Sequence, residues 1–162
     1  MDEFIEKEMI ALAPRLLRFA RSLTRSAADA EDLAQATFER AIRNLDQWEP
    51  GTRLDSWMYR LAQNHFRDHV RRDPTQRAKL ARIAAEDALA EDGVATAQSA
   101  IQRNAVAAAM ERLPSDQRVA LLLVAAEGRS YAEGAEITGA SVAAVTSRVG
   151  RARETLRMEV GR

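Results

Sequence analysis

Ser130-Tyr131-Ala132-Glu133-Gly134-Ala135-Glu136-Ile137-Thr138-Gly139-Ala140-Ser141-Val142-Ala143-Ala144-Val145-Thr146-Ser147-Arg148-Val149-Gly150-Arg151-Ala152-Arg153 is the stretch whose reading decides the fold. Ser130 and Glu133 have the spacing of a capping box, in which hydroxyl and carboxylate each satisfy an orphan N–H at a helix start. Gly139 stands where a tight turn needs positive φ, and Ser141 caps a final helix running to about Glu159. Two helices joined by a short glycine-bearing turn form a helix-turn-helix. Along the last helix Val142, Val145, Val149, Ala152 and Leu156 recur at spacings of three and four, which predicts one buried stripe. Ala144, Ser147, Arg148, Arg151 and Thr155 share another face. A helix anchored on one side, with small residues and arginines on the other, suits a DNA major groove; an ordinary amphipathic surface helix is the plain alternative.

Upstream of this stretch, Leu113-Pro114-Ser115 ends one helix and caps the next, and Glu127-Gly128 ends that one. A helical block thus spans residues 98–162. Residues 75–97 read as a linker, rich in Ala with clustered acids and broken by Glu91-Asp92-Gly93. The first block, residues 1–74, begins with a helix from Phe4 to Leu23, interrupted in its first part by Pro14. Ser26-Ala27-Ala28-Asp29 opens a second helix to about Asn44. Leu45 to Arg53, with Trp48, Pro50 and Gly51, is a loop, and a third helix runs from Leu54 to Arg72. The expected fold is all-α: a three-to-four-helix bundle and a helix-turn-helix bundle, two small domains joined by a linker.

Two further surfaces are ordered. Arg60, Asn64, Arg67 and Arg71 lie in one stripe of the third helix, opposite Leu54, Met58, Leu61, Ala62 and His65, with Trp57, Tyr59 and Phe66 flanking. Arginines and an amide beside aromatic rings suit single-stranded nucleic acid, since bases stack on rings while arginines hold the backbone. A solvated charged face with aromatics in the core is the plainer reading. On the second helix Asp32, Gln35, Glu39 and Arg43 oppose Ala30, Leu33, Thr37, Ala41 and Leu45, giving either a docking face or a wet one.

Composition narrows the function classes. There is no cysteine, so disulfides, thiol catalysis and thiolate metal sites are excluded. His65 and His69 have the i,i+4 spacing of a helical metal pair, but with no third His or Cys they read as boundary histidines, and no metal is expected. No nucleotide loop, nucleophile elbow or paired-carboxylate cleft is present, so neither an enzyme nor a cofactor is expected. Nothing resembles a signal peptide or a membrane span, which makes the cytoplasm the expected location. The 24 basic and 24 acidic residues cancel, yet they are sorted. Between Glu86 and Asp92 there are four acids and no base, whereas Arg148, Arg151 and Arg153 cluster near the end.

The runs Asp29-Ala30-Glu31-Asp32-Leu33-Ala34-Gln35-Ala36-Thr37-Phe38-Glu39-Arg40-Ala41, Trp57-Met58-Tyr59-Arg60-Leu61-Ala62-Gln63-Asn64 and Asp68-His69-Val70-Arg71-Arg72 resemble region 2 of the extracytoplasmic-function (ECF) sigma factors. Leu113-Pro114, Gln117-Arg118, Gly128-Arg129-Ser130-Tyr131 and the run from Val145 to Arg153 resemble region 4. Trp48-Glu49-Pro50-Gly51-Thr52 is similar to the branch serving the general stress response of alphaproteobacteria. The resemblance implies an alternative sigma factor that carries core RNA polymerase to specific promoters under control of an anti-sigma factor. It implies that Asp32, Gln35, Phe38 and Glu39 dock on the β′ clamp helices and that region 4 meets the β flap. Trp48, Trp57, Arg60, Asn64, Arg67 and Arg71 would read the −10 element, with a base extruded into the loop from Asp46 to Leu54. Ser141, Ala144, Thr146, Ser147, Arg148 and Arg151 would face the −35 duplex, with Ser147, Arg148 and Arg151 the leading contacts. The linker would thread toward the RNA exit path. Two departures stand out: Gly134 replaces a customary Ile or Val, which implies a missing core side chain and a weaker region 4, and Thr146 replaces a common Lys.

Two rivals remain. A sigma-like mimic could titrate an anti-sigma factor without touching promoters, but it would be expected to carry a receiver domain, of which the sequence through Arg162 shows none. A plain helix-turn-helix repressor would leave the first block unexplained.

Overall fold

The computed structural model describes residues 2–24, 26–72 and 97–161, and among them every regular element is helical. The expected linker and its acidic stretch lie almost wholly outside the described residues. In chain order the elements are α1 (Glu3–Thr24), α2 (Ala27–Arg43), a 3-10 turn (Leu45–Gln47), α3 (Leu54–Arg72), α4 (Ala97–Arg112), α5 (Ser115–Leu121) with a π-helical turn (Leu122–Ala126), α6 (Tyr131–Thr138) and α7 (Val142–Val160).

The caps form largely as the sequence dictates. The Ser26 hydroxyl accepts from the Asp29 N–H, Ser130 and Glu133 complete their capping box, and Ser141 accepts from the Ala144 N–H. Gly139 takes φ 73° at the corner between α6 and α7. Three expectations need correction. Pro14 does not interrupt α1, which runs through it. The proline is exposed, so the carbonyl left without its donor can turn to water. Pro114, rather than Ser115, occupies the cap position before α5, and no side chain caps that helix. Val142 leaves the buried stripe of α7: it is 49% exposed in the helix's first turn.

α1, α2 and α3 form the first bundle. Met9, Leu12, Leu16, Phe19 and Leu23 of α1 meet Ala30, Leu33 and Ala41 of α2 and Met58, Tyr59, Ala62 and Phe66 of α3. α4 to α7 form the second, around Met110, Leu113, Val119, Leu123, Ile137, Val145, Val149 and Ala152. The two sets join in one continuous hydrophobic cluster, because α3 lies against α5 and α6. Tyr59 and Phe66 were expected at the flanks of α3 and are instead buried, at 0% and 3% exposure. Phe19 meets Tyr59 edge-on, with centroids 5.1 Å apart.

The position of Gly134 also differs from expectation. A Cβ built there would lie 3.4 Å from Val145 Cγ1 and 3.9 Å from Val124 Cγ2. The two valines fill the space that the expected Ile or Val would take, so no hole remains, and only the propensity cost of glycine persists.

Candidate nucleic-acid interface

α7 presents its polar face to solvent. Ser141, Thr146, Ser147, Arg151 and Arg153 are exposed, and Ala144 and Arg148 are half-buried at its edge. Val145, Val149 and Ala152 hold the other side of the helix in the core. Ser141 and Thr146 are partly committed: Ser141 caps the helix, and the Thr146 hydroxyl donates to the Val142 carbonyl at 2.8 Å. What remains is a row of Ser147, Arg148 and Arg151 on a helix rigid enough to insert as a unit.

The stripe on α3 has a different fate. An Arg60 guanidinium N–H donates to the Glu136 carbonyl of α6, and Arg67 pairs with Asp116 of α5 at 2.7 Å. Between them Gln63, fully buried, donates from Nε2 to the Ile137 carbonyl at 3.2 Å. Asn64 and Arg71 stay exposed. Two of the four stripe residues, Arg60 and Arg67, thus reach the second bundle, and the other two do not. Trp48, Trp57, Thr52, Arg60 and Leu61 border a cleft of about 420 Å³ whose far wall is Glu136 and Ile137. A second cleft, about 490 Å³, opens on the other side of the same loop, between Phe4, Glu8 and Arg15 of α1 and residues 51–55.

At the centre of the contact between bundles lies a charge cluster. Arg129 follows Gly128 (φ 67°), and its side chain is only 3% exposed. It donates to Asp55 at 2.8 Å and to Glu133 at 3.3 Å, and its guanidinium lies 4.9 Å from the Tyr59 ring centroid. Arg53 binds the same two acids, at 2.9 Å and 2.7 Å. The Tyr59 hydroxyl donates to Glu127 at 2.9 Å, and Arg18 approaches that carboxylate at 3.6 Å. Burial pushes the Asp55 carboxyl up, but hydrogen bonds from Arg53 and Arg129 outweigh it and hold its pKa at about 2. Burial, and then the bond to Glu127, raise the Tyr59 phenol above its ordinary value. A second buried arginine, Arg118, donates to the carbonyls of Leu23 (3.2 Å), Glu111 (3.0 Å) and Leu113 (3.4 Å) and pairs with the Glu111 carboxylate at 3.5 Å. Asp55, Glu127, Arg129 and Gln63 received no site role from the sequence, although Gln63 and Arg129 fall in the runs that carry the resemblance and Glu127 in a helix-ending pair. Tyr59 and Glu127 are 68 positions apart, and Asp55 and Arg129 are 74 apart, beyond any local spacing rule.

On α2, Asp32, Gln35 and Glu39 are exposed together; Gln35 donates to Glu39 at 3.2 Å, and Phe38 is half-buried beside them. His65 and His69 border a cleft of about 230 Å³ with Asp29 and Asp32. Burial, and then the neighbouring His69, lower the His65 pKa. Among the described residues no group of three or more His, Asp or Glu is placed to hold a metal ion, and no helix is long and apolar enough to cross a membrane.

Comparison with known proteins places both bundles. Sigma-70 region 2 matches residues 9–75, and Sigma-70, region 4 matches residues 96–156. The ECF RNA polymerase sigma factor EcfG of Rhodopseudomonas palustris (strain TIE-1) is 35% identical over 157 residues, covering 96% of this chain and 84% of that protein. The chain belongs to the ECF sigma factors. Solved structures agree: the sigma factor RpoE of Bartonella quintana, in complex with the anti-sigma factor NepR, superposes with a TM-score of 0.74 at 27% identity, over 99% of this chain and 98% of that one. CnrH, in complex with the cytosolic domain of CnrY, gives 0.66 at 28% identity, over 94% and 84%. As an ECF sigma factor the protein binds core RNA polymerase and promoter DNA and directs transcription initiation. α1–α3 make up region 2 and α4–α7 region 4.

Proposed function

We propose that this sigma factor divides promoter reading between its two bundles: α7 reads the −35 element as duplex, while α3 and the loop before it read the −10 element as it melts. The row of exposed Ser147 and Arg151 with half-buried Arg148, backed by a buried valine stripe, is the observation that carries the reading. Small residues at the helix start allow close approach, and an arginine can take a guanine bidentately. Ser141, Ala144 and Thr146 border the same contact. On region 2, Arg60, Asn64, Arg67 and Arg71 would hold the backbone of the displaced strand. Trp48 and Trp57 stand beside the 420 Å³ cleft that would take an extruded base.

Asp32, Gln35, Glu39 and Phe38 would dock on the β′ clamp helices, an acidic and amide stripe meeting a basic partner. Domain boundaries at residues 1–74, 75–97 and 98–162 follow from these roles. An anti-sigma factor is the fitting regulator, because the Bartonella quintana RpoE fold resembling this one was solved with such a partner. General stress is the fitting regulon, given the resemblance of the loop Trp48-Glu49-Pro50-Gly51-Thr52 to that branch.

Run-off transcription with core polymerase over a library of genomic promoters tests the reading. Specific transcripts that need both proteins, and that weaken with Arg148→Ala, support it. Binding of an anti-sigma factor without any transcript would favour the mimic, and promoter footprints without polymerase would favour a repressor.

A further inference from the structure

Among the described residues two glycines stand inside helices, and only one of them has a reason within the fold. At Gly134 in α6 an added Cβ would touch Val145 and Val124, at 3.4 Å and 3.9 Å. At Gly150 in α7 it would meet nothing within 4 Å. Nor does Gly150 serve a left-handed turn, since positive φ among the described glycines is confined to Gly51, Gly128 and Gly139. It lies well inside the helix Val142–Val160, away from both caps. Glycine is the poorest helix former after proline, because its bare backbone loses the most freedom on folding. Position 150 therefore carries a cost that no contact inside the chain explains.

The surface around the glycine points outward for the reason. Helical residues advance by about 100° each, so Thr146, Ser147, Gly150, Arg151 and Glu154 fall on one side of α7, and all five are exposed. Val145, Val149 and Ala152 occupy the other side, in the core. Gly150 sits near the middle of the open side, whereas Arg148 is half-buried at its margin. Arg151 and Arg153 are exposed close by, and among the described residues neither forms an ion pair. The acid on this side, Glu154, is paired with Arg157. Uncommitted cations at the flanks and no side chain at the centre fit an anionic surface that comes right up to the helix backbone. A protein partner docking by apolar contact would instead need apolar side chains at that centre.

We propose that Gly150 is the point of closest approach between α7 and the base edges of the −35 duplex, a positioning residue that sets how deeply the helix enters the major groove. Without a Cβ the backbone comes nearer the groove floor, and Ser147 and Arg151 come within reach of the bases. Any side chain at this position acts as a spacer: it lifts the helix and lengthens those contacts while leaving the fold intact. The inference rests on the reading of α7 as the −35 helix given above.

The test uses the full-length chain assembled with core RNA polymerase and a labelled duplex carrying the −35 region of a promoter recovered by run-off transcription. Gly150→Ala should raise the Tm of the free chain by about 3 °C, since alanine favours the helix. The same change should weaken duplex binding about fivefold, and Gly150→Leu about a hundredfold, the range that single mismatched base pairs span. Opposite signs for stability and binding separate a positioning role from a structural one. A lower Tm in Gly150→Ala would mean that the fold itself needs the glycine, and it overturns the inference. So does unchanged affinity in Gly150→Leu, or a loss that does not grow from Ala to Leu. Arg151→Ala distinguishes the two levels of failure. If it weakens binding while Gly150→Leu does not, the α7 reading stands and the role of Gly150 falls; if neither weakens binding, both fall.

Discussion

The two helices proposed to meet DNA, α3 and α7, have similar sequence grammar and opposite surroundings. Each sets arginines and amide or hydroxyl groups in a stripe across from an apolar one. On α7 the stripe faces water and stands ready. On α3 it is divided: Arg60 reaches the Glu136 carbonyl and Arg67 pairs with Asp116, with buried Gln63 on the Ile137 carbonyl beside them, while Asn64 and Arg71 stay in water. A basic face is available to a ligand only if nothing in the same chain satisfies it first. Under the proposed roles, the −35 face on α7 is open to solvent, whereas two arginines of the −10 face are already engaged by the other bundle.

The largest expected effect comes from breaking the strut that serves both sides. Arg118→Ala would leave the Glu111 carboxylate and the Leu23 carbonyl without their arginine in a dry site, at a cost of about 3–5 kcal/mol. Chemical denaturation should show a lower midpoint, and loss of less than ~1 kcal/mol would mean that the bundles do not lean on this residue.

Arg148→Ala and Arg60→Ala sharpen the contrast directly. Arg148→Ala should weaken binding of a −35 duplex by roughly 1–3 kcal/mol if it pairs with a guanine, whereas Arg60→Ala should leave duplex affinity unchanged. Equal losses in fluorescence anisotropy titrations would erase the distinction between the two faces.

Acid probes the closed contact. Asp55 has a folded pKa of about 2 against an ordinary 3.8, so its contribution is present above pH 3.8 and is lost as pH falls toward 2. At this partly screened site the amount is on the order of 1–2 kcal/mol. Asp55→Asn should flatten the stability profile between pH 4 and 2, as read by urea denaturation at each pH. An unchanged slope would show that the carboxylate gains nothing from Arg53 and Arg129.

The smallest effect concerns region 4 alone. Gly134→Ala would place its methyl at ordinary contact from Val145 and raise helix propensity, a gain of up to ~1 kcal/mol seen as a higher Tm. A fall in Tm would show that the backbone of α6 must approach Val145 more closely than a methyl allows.

Local rules carried the sequence a long way. Capping residues and glycine fixed the ends of α2, α6 and α7, and α3 was legible from Leu54 to Arg72, because those signals act over one helical turn. The α7 stripe was legible too, apart from Val142, which sits one turn too early to reach the core. Pro14 misled because an exposed proline can sit inside a helix when neighbours pack its other face. Tyr59 and Phe66 were misplaced at the flanks because a stripe on one helix does not say how many faces its neighbours will cover. Tertiary structure alone decided the meeting of α3 with α5 and α6, and with it the pairing of Arg129 with Asp55 and of Tyr59 with Glu127. Those partners lie about seventy residues apart, on either side of residues 73–96. Periodicity reports which side of a helix is apolar, but only the folded chain determines which charges come into contact.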